Sequence, residues 1–123
     1  GLKTMDGFPL SLTGSLIATG NPFSDINGFP NVVNGNVIMN LYPTLRILGI
    51  LRKQIGGYIV LIPTIEFEKQ WARPVEDIQE TLNKYKNQGN KGVMTAAVEI
   101  LKMNKEYNWP ERYNYDASEN AKL

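Results

Sequence analysis

The stretch LRILGILRKQIGGYIVLIPTIEF, residues 45–67, decides how the rest of the chain is read. Two runs rich in Ile, Leu, Val and Tyr, Leu45 to Leu51 and Tyr58 to Phe67, flank Gln54-Ile55-Gly56-Gly57. β-Branched and aromatic residues fit a pleated strand, and a Gly-Gly pair supplies the positive φ that tight hairpin turns demand. The pattern therefore predicts a β-hairpin. Along its second arm Ile59, Leu61, Ile65 and Phe67 fall on one face, and Tyr58, Val60 and Ile62 on the other, because successive side chains alternate. Both faces are apolar, so the one turned from the core is expected to be covered by helices or by another subunit. Pro63, with no N–H to donate, belongs at a sheet edge or a bulge.

Toward the N-terminus, Phe8 to Thr19 alternates loosely and reads as a strand in which Gly14 marks a bulge or bend. Asn21 to Pro30 is a loop by its Asn-Pro, Asn-Gly and Phe-Pro steps. Asn34-Gly35 fits a type I′ turn joining Val32-Val33 to Val37–Tyr42, and Pro43 breaks the ladder. Toward the C-terminus, Pro74 suits the first turn of a helix, where Glu76, Asp77 and Glu80 complement the macrodipole. Val75, Ile78, Leu82 and Tyr85 make its apolar stripe, and Gly89 lies just past its end. Asn90 can cap a second helix running to about Tyr107, with Val93, Met94, Ala97, Val98, Ile100 and Leu101 on a wide apolar face. The short connection makes an αα-hairpin. No repeat of fixed period is read from the chain, which argues against a solenoid.

The expected architecture is a single α+β domain over residues 1–123. An antiparallel sheet of four to five strands, about residues 8–68, is followed by two C-terminal helices, 74–108, packed on it, and residues 114–123 form a flexible tail. At 42% hydrophobic and 20% charged residues, the chain can bury one core. It contains neither Cys nor His, which removes disulfides, thiolate nucleophiles, zinc sites of the usual kind and imidazole acid–base chemistry. Thirteen basic against twelve acidic residues give a net charge of +1, too balanced to imply nucleic acid or an anionic membrane. No run approaches the ~18 apolar residues of a membrane span, and the N-terminus lacks signal-peptide features. The cytoplasm is the favoured compartment, left open because the chain begins with Gly1 rather than Met.

Little of the chain carries recognisable chemistry. Glu76, Asp77 and Glu80 are read as first-turn acids rather than metal ligands, and Glu66 and Glu68, on one side of a strand, as solvated charges. No serine is followed by a lysine at a three-residue step, and Gly56-Gly57 lacks the Lys-Ser/Thr of a phosphate loop. No metal or cofactor is expected. What remains is a mixture of bases and aromatics, in which Arg46, Arg52, Lys53, Trp71 and Arg73 are the candidate contacts for single-stranded nucleic acid. Lys and Arg neutralise phosphates while aromatic faces stack on bases. Arg46 and Arg52 fall on one face of the expected strand, with Lys53 at the turn.

Ile50 to Pro63, with its Gly56-Gly57 turn, the run Tyr58-Ile59-Val60-Leu61-Ile62 and a closing proline, is similar to the SpoVG family of small nucleic-acid-binding regulators. The likeness covers little of the chain, and Tyr58 stands where that family usually carries Leu. The functions expected are, in order, a non-enzymatic binding module with nucleic acid as its ligand, and a structural or assembly protein acting through its charge-poor strands. An enzyme using carboxylates, Lys or Tyr comes third. A homo-oligomer is expected from the doubly apolar strand.

Overall fold

The computed structural model describes residues 9–18, 28–41, 47–63 and 65–107. Among these lie six short strands: β1 (Ser11–Leu12), β2 (Leu16–Ala18), β3 (Val32–Val33), β4 (Val37–Leu41), β5 (Gln54–Ile55) and β6 (Ile59–Pro63). A 3-10 helix, Leu48–Arg52, precedes β5, and two α-helices follow the strands, α1 (Ile65–Tyr85) and α2 (Gly89–Tyr107).

No strand pairs with its neighbour in sequence. The odd strands form one three-stranded sheet, β1-β3-β5, the even strands another, β2-β4-β6, and every pairing is parallel. Ser11 aligns with Val32 and Val32 with Gln54, while Leu16 aligns with Val37 and Val37 with Ile59. Equivalent residues are thus 21 and then 22 positions apart. The chain winds as three stacked rungs of a parallel solenoid, not as the antiparallel sheet of four to five strands expected over residues 8–68.

Each rung turns a corner with the same pattern, an apolar residue, a variable one, Gly, a variable one, and an apolar residue. The three copies are Leu12-Thr13-Gly14-Ser15-Leu16, Val33-Asn34-Gly35-Asn36-Val37 and Ile55-Gly56-Gly57-Tyr58-Ile59. Alternation along each strand turns Leu12, Val33 and Ile55 inward as one column, Leu16, Val37 and Ile59 as a second, and Ala18, Met39 and Leu61 as a third. A single rung has too few apolar groups to hide, and stacking makes the core continuous.

The glycines explain why the hairpin reading fails. A type I′ turn needs positive φ at both central residues, and among the described residues positive φ occurs only at Gly28, Asn87 and Gly89. Gly35 and Gly57 serve close approach instead. A Cβ on Gly35 would lie 2.8 Å from the Ser15 nitrogen and 2.9 Å from the Gly14 carbonyl carbon, and one on Gly57 2.7 Å from the Gly35 carbonyl. The corners are bonded through the backbone, Gly35 N–H to Gly14 C=O at 3.0 Å and Gly57 N–H to Gly35 C=O at 2.9 Å. The residue after each glycine continues the stack: Ser15 Oγ accepts the Asn36 N–H at 2.9 Å, and Asn36 Oδ1 accepts the Tyr58 N–H at 2.8 Å.

Further boundaries differ from expectation. Within Leu45–Leu51, residues 45 and 46 lie outside the described set, and Leu48, Ile50 and Leu51 are buried side chains of the 3-10 helix rather than of a strand. The run from Tyr58 to Phe67 is a strand only to Pro63, which ends edge strand β6, and Ile65 already begins α1. Pro74 therefore lies inside α1 rather than opening it. The αα-hairpin holds: α1 ends at Tyr85, Asn87 takes the left-handed conformation with φ 64°, and α2 starts at Gly89. Val75, Ile78 and Leu82 of α1 and Val93, Ala96, Ala97 and Ile100 of α2 enter the core. Met94, expected on the buried face, is exposed. A Cβ on Gly92 would meet the Tyr85 carbonyl at 2.6 Å, so glycine lets α2 pass close to the last turn of α1. The loop read at residues 21–30 falls largely, and the tail at 114–123 wholly, outside the described residues.

Candidate binding surfaces

Among the described residues the helices leave the outward face of β2-β4-β6 uncovered. α1 runs along the open edge of β6, and the turn after it along that of β5, where every second backbone unit of a parallel strand points outward and needs a partner. Gln79, Asn83 and Asn87, spaced four residues apart, supply it. Asn83 accepts the Ile59 N–H at 2.7 Å and donates to the Ile59 C=O at 2.8 Å. Asn87 does the same for Ile55, both at 2.8 Å, and Gln79 accepts the Leu61 N–H at 2.9 Å. From Gln79 to Asn83 the match is geometric: four helical residues rise ~6 Å, and the two strand residues from Leu61 to Ile59 ~6.6 Å, while Asn87 reaches Ile55 from the left-handed turn after the helix. Sequence reasoning passed over these amides, although their spacing beside the stripe of Val75, Ile78 and Leu82 was the available signal.

The outward face of β2-β4-β6 is left bare. Ile17, Ile38 and Val60 align across the three rungs, and Tyr58 and Ile62 flank Val60 on the same face. Ile17 is 67% exposed, Tyr58 69% and Ile62 40%, while Ile38 and Val60 are half-buried. From Tyr58 to Ile62 the division into two apolar faces is as expected, while Ile65 and Phe67, placed on the inner one, belong to α1; the outer face has no cover among the described residues. Asn36 and Asn40 bring amides to the same face, and Asn40 Nδ2 donates to the Ile62 C=O at 3.2 Å. The Lys86 ammonium lies 5.0 Å from the Tyr58 ring centroid and donates to the Gly57 C=O.

Of the five residues singled out for nucleic acid, the structure brings together two. Arg52 and Lys53 line an open groove of about 560 Å³ with Val32, Asn34, Gln54 and Asn87. Arg52 Nε donates to Asn90 Oδ1 at 2.8 Å, and Lys53 Nζ to Asn31 Oδ1 at 3.1 Å. Arg46 lies outside the described residues, and Arg52 ends the 3-10 helix rather than lying on a strand face. Trp71 and Arg73 fall within the backbone of α1, and their side chains lie outside the description. Glu66 and Glu68 are helical too, which removes their common strand side.

A second groove, about 660 Å³, lies between Tyr58, α1 and α2. At its rim the Tyr85 hydroxyl donates to Glu99 Oε1 at 2.6 Å, and Lys84 Nζ stands 3.6 Å from the same oxygen. The Tyr85 hydroxyl, and after it the Glu99 carboxylate, hold the Lys84 ammonium above the usual lysine value. Tyr85, placed in the apolar stripe from its spacing, is thus half-buried with its polar end in use. Among the described residues no helix is long and apolar enough to cross a membrane. Compared with protein-family models, with curated proteins and with solved structures, the chain has no match, and the likeness of Ile50–Pro63 to the SpoVG family finds no support.

Proposed function

We propose that this domain is a non-enzymatic binding module that recognises another protein through the outward face of the β2-β4-β6 sheet. One observation carries the reading: Ile17, Ile38 and Val60 form a continuous apolar row over three rungs, flanked by the exposed Tyr58 and Ile62. Recognition patches combine an apolar and aromatic centre with a polar rim, and Asn36 and Asn40 supply such a rim here. A rigid ladder presents these groups with little ordering cost on binding. Self-association through the same face is the assembly form of this reading.

The test is selection of short displayed peptides against the protein, followed by affinity measurement on a Tyr58→Glu, Ile62→Glu variant. Selected peptides are expected to lose at least ~1.4 kcal/mol, a tenfold change, because truncating central aromatic anchors does so at ordinary interfaces. Binding that is indifferent to these substitutions would remove the reading.

Convergence of Arg52 and Lys53 on one groove supports a second reading, single-stranded nucleic-acid binding. Labelled oligonucleotides titrated at low salt should then bind with an affinity that falls steeply as salt rises and disappears in an Arg52→Ala, Lys53→Ala variant. Absence of binding at low salt disposes of it.

A further inference from the structure

The solenoid has two ends, and among the described residues only one is closed. At β5–β6 the outward backbone groups are taken up by side-chain amides of α1 and of the turn after it. At the other end the Leu16 N–H bonds to the Asn36 C=O at 2.8 Å, so in a parallel ladder the N–H and C=O of Ile17 point away from β4. Among the described residues nothing pairs with them. Natural edges are usually blunted by charge, yet Pro9 to Ala18, PLSLTGSLIA, carries none. Leu10 and Ile17 are exposed beside it, at 74% and 67%.

Gly14 is the second observation. It heads the glycine column, but it lacks the reason that Gly35 and Gly57 have. Their Cβ positions collide with the backbone of the preceding rung, whereas a Cβ on Gly14 meets nothing within 4 Å, and its φ is not positive. Glycine here only adds entropy to the unfolded chain. It becomes a requirement once a further backbone stacks on the first rung as the first stacks on the second.

We propose that the β1–β2 edge is a strand-docking site that takes an extended, uncharged segment of another polypeptide, parallel to β1 and β2. That segment would carry the corner pattern of the rungs themselves, apolar, variable, Gly, variable, apolar. The ladders β1-β3-β5 and β2-β4-β6 continue into it without a break, and the neutral edge admits an equally neutral strand. A second copy of this chain does not fit. Its edge of matching polarity lies under α1, and pairing two β1–β2 edges either reverses strand direction or turns one sheet face over. Docking uses backbone rather than the outward side chains, so it stands or falls separately from the recognition face.

The test uses the intact protein and a fluorescent peptide reproducing residues 31–41, NVVNGNVIMNL. Anisotropy titration is expected to saturate, to fail with a scrambled peptide, and to be unchanged by Tyr58→Glu or Ile62→Glu. Gly14→Val should weaken binding at least ~tenfold while keeping the thermal midpoint, because strand addition depends on close backbone approach. Ile17→Pro, which removes an N–H that serves no ladder bond, should do the same if the valine variant fails to fold. No saturation, or equal binding by both edge variants, overturns the proposal. So does a dimer in sedimentation that persists in the Tyr58→Glu, Ile62→Glu variant and competes with the peptide, since a second copy would then hold the edge.

Discussion

At Gly35 and Gly57 a single hydrogen separates two geometries that share a dipeptide. Asn34-Gly35 and Gly56-Gly57 are what a tight hairpin uses for positive φ, and here they sit at negative φ, pressed against the rung before them. Local sequence states that glycine is needed but not whether for torsion or for space. Gly35→Ala and Gly57→Ala should each cost about 1–3 kcal/mol, since the new methyl must push apart backbone rather than a flexible side chain. Gly14→Ala, in the same column with open space before it, should stay within about 0.5 kcal/mol. Urea denaturation of the three variants checks this, and equal losses would remove stacking as the cause. Lys84 gives a residue-scale pH effect. Its ammonium is held above the ordinary 10.5 by Tyr85 first and Glu99 second, so what this adds to stability is complete below that value and lost as pH rises through the folded one. The difference in urea midpoint between wild type and Lys84→Gln should be constant from pH 7 to pH 9 and shrink at the alkaline end. A difference that grows there would contradict the assignment.

At the scale of elements, α1 acts as the missing neighbour of β5 and β6. Its amides at Gln79 and Asn83, and that of Asn87 in the turn after it, bond as a fourth rung would, and unlike a strand they expose no new edge beyond. Asn83→Leu leaves both the N–H and the C=O of Ile59 without partners and should lower stability by about 2–4 kcal/mol. Amide exchange at Ile59 should accelerate more than at Ile55, which keeps Asn87. Asn83→Asp retains the acceptor but not the donor, so it should fall between the two and recover as its carboxyl is protonated at low pH. The core stripe of α1, Val75, Ile78 and Leu82, was legible because helical spacing is a global property of a segment. Its start was not. Pro74 is a favoured first-turn residue, and only the tertiary structure reveals that the helix already runs from Ile65. The apolar run around Leu48 likewise reads as strand or buried helix by composition alone, and packing against α2 makes it the latter.

At the scale of the molecule, the solenoid was present in the sequence as three copies of one corner, and two physical circumstances obscured it. Its period slips from 21 to 22, and outside the seven aligned positions 12–18, 33–39 and 55–61 the rungs share no evident pattern. Turn chemistry is local and speaks at once, whereas stacking is visible only when residues a full rung apart are compared. The outer face was partly legible, because Tyr58, Val60 and Ile62 alternate with the core residues Ile59 and Leu61, but what leaves them exposed is that α1 seals an edge instead of covering a face. That arrangement ties the helices and the rungs into one cooperative unit: the helices' buried side chains belong to the same core as Val37, Met39 and Ile59. Leu82, fully buried in α1, is the place to test it. Leu82→Ala should cost about 2–5 kcal/mol through lost burial and the cavity left behind. If the unit is single, amides of β4 on the middle rung, which α1 does not bond, should lose protection by the same free energy as those of β6. Helical circular dichroism and strand exchange should then report one transition. A variant in which β6 exchanges freely while Val37 and Met39 keep their full protection would instead divide the molecule into a stable pair of rungs and a separable unit made of β6 and the helices.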